Sequence, residues 1–277
     1  MNISYERPWI LVRGGGDIAT GTILRLYRCG FRVLIAECRN PSAIRRKAAF
    51  CEAVWAGSAE VEGTVCERIS HIREAAAVSS RGRIPLLVDE DLQCLSDLQP
   101  AAVVDAILAK KNLGTCRSMA PITVGLGPGF IAGEDVDAVI ETMRGHHLGR
   151  VILEGSAIPN TGVPGVIGGF AAERVIHAPA SGPMIFTHGI DIGSLVQKGQ
   201  TIAYVGDTPV TATLDGVLRG LIREGYPVTR GLKIADIDPR KEQVKYCDTV
   251  SDKARAIGGG TVEALLYLAG KKQIRLL

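Results

Sequence analysis

The sequence predicts an α/β protein: a Rossmann-like parallel sheet with helices on both faces, then a small all-β module and a C-terminal helix. Three observations predict it. Short apolar runs alternate with helical stretches over roughly the first 170 residues, as in a parallel sheet. From residue 174 the runs become shorter and alternate in polarity. The 33 glycines are grouped at predicted turns. We therefore expect a Rossmann-like domain at 1–173, a β module at 174–245 and a helical segment at 246–277.

The first elements read as strand, turn, helix, strand. An apolar run at 9–12 precedes three glycines, a helical pattern covers 18–29, and a β-rich run at 31–36 ends at Glu37. Further strands are predicted at 84–88, 102–105, 122–125 and 151–153. Helices are predicted between strands, among them 41–50 and 134–143.

The β module contains an internal repeat. Ser181-Gly182 and the following Val-x-x-Gly segment resemble a second copy that begins at Asp215, 34 residues later. Two copies predict a pseudo-twofold barrel or sandwich. The module is similar to biotinyl and lipoyl barrel-sandwich domains, but its hairpin tip at 206–209 contains no lysine, so a swinging-arm carrier is not expected. The closing stretch, 249–271, is helical. We expect glycines 258–260 to divide it into two helices, or one helix to begin after them.

Composition excludes several classes. With 46% hydrophobic residues and a net charge of +3 the chain is not disordered, and its glycines lack the period of collagen. A pI near 8.5 without a basic stripe gives no reason to expect nucleic acid. We find no apolar run long enough for a membrane and no signal peptide in the polar first nine residues. Seven scattered cysteines indicate reduced thiols in a cytoplasmic protein.

The first glycine turn matches a dinucleotide fingerprint. Its context is complete: a strand precedes it, a helix follows, and Glu37 ends the next strand. Glu37 is suited to a ribose diol and Arg39 to a 2′-phosphate, so NAD and NADP both stay open. A scaffold that uses glycine only for close packing is the alternative. The predicted ligand residues of the turn are Gly14, Gly15, Gly16, Asp17 and Ile18.

Two further loops follow predicted strands, where α/β sheets bind ligands. Asp105, Lys111 and Asn112 are suited to a phosphate or polar ligand, or else Asp105 caps a turn and the lysines are solvated. A Gly-Pro-Gly turn offers backbone amides to an anion. Its predicted ligand residues are Gly127, Pro128, Gly129 and Phe130.

Two other features leave alternatives open. Glu141, His146, His147 and Arg150 form a group suited to acid–base or metal chemistry, although we expect at least one histidine to cap a helix C-terminus and assign no metal site. The glycine- and proline-rich loop 162–169 is either an ordered ligand loop or the link between the two domains, and we expect a linker that also lines the cleft.

Together these motifs resemble the YqeB family, accessory proteins of the selenium-dependent molybdenum hydroxylase system that are related to the maturation factors of xanthine and CO dehydrogenases. The residues that support the resemblance are 13–21 (RGGGDIATG), 104–112 (VDAILAKKN), 127–130 (GPGF), 141–146 (ETMRGH) and 233–240 (KIADIDPR). The resemblance implies a cytosolic bacterial protein that acts on the molybdenum cofactor or its target hydroxylase, with hydroxylase or cofactor-processing partners. The implied ligand is a nucleotide, molybdopterin or molybdopterin dinucleotide.

Two other functions stay open at this stage. One is an NAD(P)-dependent oxidoreductase, which needs a Tyr-x-x-x-Lys pair or a catalytic His or Lys facing the nicotinamide. The other is a scaffold in which the β module docks a protein. The residues alone do not establish whether the chain catalyses a reaction, and a homo-oligomer is compatible with them.

Overall fold

A computed structural model describes residues 7–162 and 165–277. Residues 1–6 of the polar N-terminal segment and residues 163–164 of the predicted linker lie outside the described residues. The chain forms two compact units. Unit 1 comprises Met1–Pro41, Phe50–Asn160 and Val250–Leu277, and unit 2 comprises Ser42–Ala49 and Thr161–Thr249.

These bounds differ from the expected domains in two ways. The C-terminal helix is part of unit 1, and a segment from the expected first domain, Ser42–Ala49, is part of unit 2. The helix predicted at 41–50 is wrong, because only a short 3₁₀ turn forms, at Arg46–Ala48. The backbone there bonds to a strand of the β module instead: the carbonyl of Ile44 accepts from the amide of Leu221 at 2.8 Å.

Unit 1 contains a nine-stranded sheet that is mostly parallel. Its strands are β1 (Trp9–Arg13), β2 (Arg32–Glu37), β3 (Ser58–Val61), β4 (Thr64–Ile69), β5 (Ile84–Val88), β6 (Ala102–Asp105), β7 (Ile122–Leu126), β8 (Ala138–Ile140) and β9 (Val151–Ile152). They are ordered β3-β4-β5-β2-β1-β6-β7-β8-β9. Six adjacent strands of this sheet are parallel and follow the Rossmann order 3-2-1-4-5-6, namely β5, β2, β1, β6, β7 and β8. The β3–β4 hairpin extends the sheet at one edge, and the antiparallel strand β9 extends it at the other.

Helices cover both faces of this sheet, as predicted. They are α1 (Asp17–Arg28), α2 (Ala53–Ala56), α3 (Ala75–Ser80), α4 (Leu95–Leu98) and α5 (Asp252–Lys272). Alternate residues of β1 divide between the faces, since side chains alternate along a strand. Ile10 and Val12 pack with α1 and α5, whereas Leu11 packs with α3 and α4.

The C-terminal helix α5 is continuous, so the predicted interruption at its glycines is wrong. The glycines permit close packing instead. A Cβ at Gly258 would lie 2.8 Å from the carbonyl oxygen of Gly21 in α1, and one at Gly260 would overlap the carbonyl oxygen of Gly149. A Cβ at Gly259 would meet nothing within 4 Å. Packing against α1 and the sheet thus outweighs the low helix propensity of three consecutive glycines.

The helix predicted at 134–143 is also wrong. This stretch contains strand β8, whose residues are all buried, as expected of a parallel strand covered on both faces. The buried carboxylate of Asp137 accepts a bond from the amide of Thr123 at 2.9 Å and joins β8 to β7. With no helix here there is no C-cap for His146 or His147. Both lie exposed in a turn, with their rings edge to face.

Unit 2 contains two four-stranded antiparallel sheets around its own apolar core. Their orders are β10-β17-β15-β12 and β14-β13-β11-β16. The strands are β10 (Val175–His177), β11 (Gly182–Phe186), β12 (Leu195–Val196), β13 (Thr201–Val205), β14 (Thr208–Thr211), β15 (Gly216–Leu221), β16 (Pro227–Val228) and β17 (Lys233–Asp238). Pairing follows the sequence repeat. Val196 of the first copy pairs with Gly216 of the second, and Val228 of the second pairs with Gly182 of the first.

None of the described helices combines the length and the apolar character that a bilayer span requires.

Candidate functional site

The predicted ligand loops lie along one edge of the unit 1 sheet, where the parallel strands end. In the sheet register Arg13 of β1 is level with Asp105 of β6, and Asp105 is level with Gly125 of β7. We call this the carboxyl edge, formed by residues 13–18, 37–39, 105–112 and 125–130. The strand order reverses between the parallel strands β1 and β6, because β2 and β5 lie on one side of β1 and β6 to β8 lie on the other. This is the topological switch point at which α/β proteins bind ligands.

In the first glycine turn, two glycines contact the protein and one faces open space. Gly14 has a φ of +99°, and a Cβ there would lie 3.2 Å from the backbone of Ala106. A Cβ at Gly15 would lie 3.1 Å from the amide nitrogen of Cys51. Gly16, the residue before α1, would meet nothing within 4 Å. Gly16 supplies no side-chain cap to the first turn of α1, which begins with Asp17 and the half-buried Ile18. The first amides of a helix have no partner within the helix itself.

Glu37 is a structural anchor of this turn. Its two carboxylate oxygens accept the amides of Gly15 at 2.6 Å and Cys38 at 2.7 Å, and the side chain is buried. Burial raises the pKa of Glu37, while the two amides oppose that rise. The carboxylate suited to a ribose diol is therefore already bonded to backbone, and the Gly15 amide is not available to a ligand. Arg39 is exposed beside it.

The second loop is held by Asp105 and Asn112. Asp105 is buried and accepts from the amide of Ile107 at 3.1 Å and the hydroxyl of Thr115 at 2.6 Å. Asn112 accepts the amide of Thr115 and donates to its carbonyl, which closes a turn. Arg13 joins this network through the Thr115 hydroxyl at 3.0 Å. Both predicted polar ligand residues thus shape the loop.

In the third loop, glycine makes room for its neighbours. A Cβ at Gly127, where φ is +82°, would lie 2.6 Å from the hydroxyl of Thr142. A Cβ at Gly129, where φ is +113°, would lie 2.7 Å from the backbone of Lys111. The Phe130 ring is buried in a small apolar cluster and Pro128 is half-buried. This loop therefore holds the backbone of Lys111 at the carboxyl edge.

The cations and the acids of the carboxyl edge differ in whether their side chains are bonded within the protein. The side chains of Arg39, Lys110 and Lys111 are exposed, and none makes a hydrogen bond or ion pair with another described residue. Glu37 and Asp105 are bonded as described above. The unpaired charge at the switch point is thus positive.

A further lysine, Lys253, was not singled out from the sequence. It is the second residue of α5, is half-buried, and forms no hydrogen bond or ion pair with the described residues. Burial, and then the nearby positive charge of Arg144, lower its pKa, while Asp17 and Glu141 oppose that shift. Only the packing of α5 on α1 places Lys253 near the glycine turn, so no sequence signal could have identified it.

A cavity of about 420 Å³ lies beyond the end of β8 and along β9. It brings together three members of the predicted histidine group, Glu141, His147 and Arg150. Its other lining residues are Val151, Ile152, Leu153, Glu154, Ser156 and Ile158. In the described ranges, this cavity included, no three His, Cys, Asp or Glu side chains are grouped so as to hold a metal ion.

The thiols beside the glycine turn are not activated. Burial, and then the carboxylate of Glu37, raise the pKa of Cys38 to about 12, and the same causes raise the pKa of the buried Cys51. Neither residue is a thiolate at neutral pH, so neither has the character of a nucleophile.

The chain contains one Tyr-x-x-x-Lys pair, Tyr267 and Lys271, in the last turns of α5. The next residue, Lys272, donates to the carbonyl of Pro121, which precedes β7. The pair therefore lies near the amino-terminal ends of the strands, opposite the carboxyl edge. It does not face a ligand bound at the glycine turn.

Comparison with known proteins gives one strong match. No family model matches the chain. The chain is 50% identical over 259 residues to the uncharacterized protein YqeB of Escherichia coli (strain K12), across 94% of this chain and 47% of that protein. The match supports placement in the YqeB family. The chain thus spans about half the length of the curated relative that it matches.

Among solved structures, the chain is similar to the product-bound structure of the ectoine utilization protein EutE (DoeB) from Ruegeria pomeroyi. The match has a TM-score of 0.24 and 13% identity, and it covers 83% of this chain and 85% of that chain. A TM-score this low supports no argument about function.

Proposed function

We propose that the chain binds a phosphate-bearing cofactor, a nucleotide or a molybdopterin-type ligand, at the carboxyl edge of unit 1. In this proposal it serves as a cytoplasmic accessory protein for a selenium-dependent molybdenum hydroxylase. The accessory role rests on the relationship to YqeB and on what the family resemblance implies. The ligand class rests on the charges of the edge.

The observation that supports the ligand class is the division between bonded acids and unpaired cations. Glu37 and Asp105 are bonded within the protein, so they add little to the donors and acceptors offered to a ligand. The side chains of Arg39 and Lys111 form no hydrogen bond or ion pair with the described residues. Phosphate oxygens bind such cations and the free amides of a helix N-terminus, and Gly16 leaves the start of α1 open to them.

The same geometry disfavours the oxidoreductase alternative. The carboxylate that would bind the ribose diol is bonded to backbone, and the Tyr-x-x-x-Lys pair lies at the other end of the strands. No specific observation favours the docking scaffold over ligand binding.

Native mass spectrometry of the full chain, purified from a molybdenum-supplied bacterial host, tests the proposal. We expect a co-purifying pterin or nucleotide mass. Gly16→Val should remove it, because its side chain would cover the open end of α1. Lys111→Met should lower ligand occupancy about tenfold, the loss expected for one charge-assisted contact.

Two variants are matched controls. Gly259→Ala changes another glycine with open space around it, and Lys271→Met changes another exposed lysine of unit 1. Both should retain the ligand. Redox turnover of NAD(P)H by the wild-type chain would contradict the proposal. So would a ligand that persists in Gly16→Val and Lys111→Met.

A further inference from the structure

The cavity beside β9 shares no lining residue with the carboxyl edge, and the loop around it is held by Glu141. The buried carboxylate of Glu141 accepts the amide of Met143 at 2.7 Å and that of Ile158 at 2.8 Å, so it joins the two ends of the loop that surrounds the cavity. The backbone of Glu141 also bonds in both directions, to Gly149 and Arg150. Glu141 is thereby occupied as a structural residue and is not available to an occupant.

Two opposite charges line this cavity without pairing. Arg150 and Glu154 both line it, yet they form no ion pair with each other, and neither makes a side-chain bond to any described residue. The hydroxyl of Ser156 is likewise without a partner in the described ranges. A guanidinium binds a carboxylate with two parallel hydrogen bonds, and a carboxylate binds an ammonium group. The two charges are complementary to a molecule that carries both.

Apolar side chains form the rest of the lining. Leu153 is 42% exposed and Ile158 is 44% exposed, and both are cavity residues together with Ile152. An occupant with an apolar side chain would remove this surface from water, which is favourable by about 25 cal/mol per Å². The volume of about 420 Å³ is within the range of small-molecule sites.

We propose that this cavity binds a small zwitterion of the α-amino acid class with an aliphatic side chain. Arg150 binds its carboxylate, Glu154 binds its ammonium group, and the aliphatic part lies against Leu153 and Ile158. Ser156 donates a further hydrogen bond to the carboxylate.

Saturation-transfer NMR and calorimetry on the full chain test this proposal with three probes of matched shape. Leucine carries both charges, 4-methylpentanoate lacks the ammonium group, and 3-methylbutylamine lacks the carboxylate. We expect leucine to bind at least about tenfold more tightly than either single-charge analogue, since each analogue loses one charged contact.

Variants locate the binding. Arg150→Met should abolish the advantage of leucine over the amine, and Glu154→Gln should abolish its advantage over the acid. Arg230→Met and Glu134→Gln are matched controls, because both side chains are exposed and form no bond with the described residues, and both should bind leucine as the wild type does.

Three results would overturn the inference: no leucine binding at millimolar concentration, equal binding of all three probes, or unchanged binding in both cavity variants. Gly16→Val should bind leucine normally. Failure at this cavity is therefore distinguishable from failure of the proposed phosphate site.

Discussion

The two units use buried carboxylates in different ways. In unit 1, Glu37, Asp105 and Glu141 stand at or just after strand ends, and each accepts backbone amides that fix a loop. In unit 2, Asp236 and Asp238 lie within strand β17 and pair with arginines. These three acids of unit 1 therefore shape loops, although Asp105 also forms an ion pair with Arg13 at 3.4 Å. The cations Arg39 and Lys111 at the carboxyl edge stay unpaired. In unit 2, these two buried acids are neutralised by arginines of the same unit.

The largest expected effect tests the internal pairing of unit 2. Arg174 and Asp236 are both buried, and the guanidinium donates to the carboxylate at 3.1 Å. Arg174→Met should destabilise unit 2 by about 3 kcal/mol, because breaking a buried pair leaves a charge with poor compensation. Arg219, 4.0 Å from Asp236, would compensate only part of the negative charge of Asp236. Hydrogen exchange of β17 amides measures the loss.

Arg230→Met is the control for this change, since it removes an exposed arginine of the same unit. If the exchange rates of the β17 amides are unchanged in Arg174→Met, the buried pair stabilises unit 2 no more than the exposed Arg230 does. The proposed difference between the two units would then be wrong.

A smaller effect tests the loop packing of unit 1. Gly129→Ala should destabilise this unit by about 2–3 kcal/mol, because the added Cβ meets the backbone of Lys111 at a positive φ. Gly133 also has a positive φ, +92°, but open space around it. Gly133→Ala should therefore cost only the conformational strain, about 1 kcal/mol. The difference between the two losses in the free energy of unfolding gives the contribution of the close contact between Gly129 and Lys111.

Tryptophan fluorescence during urea unfolding measures this pair of variants, because both tryptophans, Trp9 and Trp55, are in unit 1. Equal losses in Gly129→Ala and Gly133→Ala would show that the loop does not depend on its contact with Lys111.

The smallest effect concerns a carboxylate of unit 1 that bonds an amide and also pairs with an arginine. Burial of Glu62 opposes its ionisation, but the amide of Val250 and the guanidinium of Arg255 outweigh burial and lower its pKa below 4.5. The ionised form therefore stabilises the folded chain above about pH 4.5. That contribution is lost as the pH falls through the lower pKa of the folded state.

Glu62→Gln should accordingly reduce the free energy of unfolding by about 1 kcal/mol at pH 7 and by a smaller amount at pH 3. Urea titrations at both values measure it. Glu60→Gln, on the neighbouring exposed position of β3, should have no effect at either pH. A Glu62→Gln difference that is the same at pH 3 and pH 7 would contradict the linkage.

Much of the fold could be read from local patterns. The strands β5 and β6 have the predicted bounds, and α1 and β2 differ from prediction by about one residue. The two predicted helices that are wrong, 41–50 and 134–143, have helical composition. Their backbones instead bond to distant strands, through Leu221 for the first and Thr123 for the second. Such bonds have no signature in a local window.

The candidate site was likewise predictable from the sequence only in part. The sequence identified the loops of the carboxyl edge because a glycine turn or an acid after a strand is a local signal. It could not tell Gly16, which faces open space, from Gly14 and Gly129, which contact the protein's own backbone. Whether a glycine makes room for a ligand or for a neighbour depends on residues about 90 positions away, such as Ala106 for Gly14.

By itself the sequence determined the class of fold, the duplicated β module and the loops that end the parallel strands, because periodicity and turn chemistry act over a few residues. Tertiary structure decided which groups in those loops are free. It bonded Glu37 and Asp105 to backbone, left Arg39 and Lys111 unpaired, and placed Lys253 of α5 beside α1. A buried polar group must find a partner wherever the folded chain offers one, and that partner is set by packing rather than by proximity in sequence.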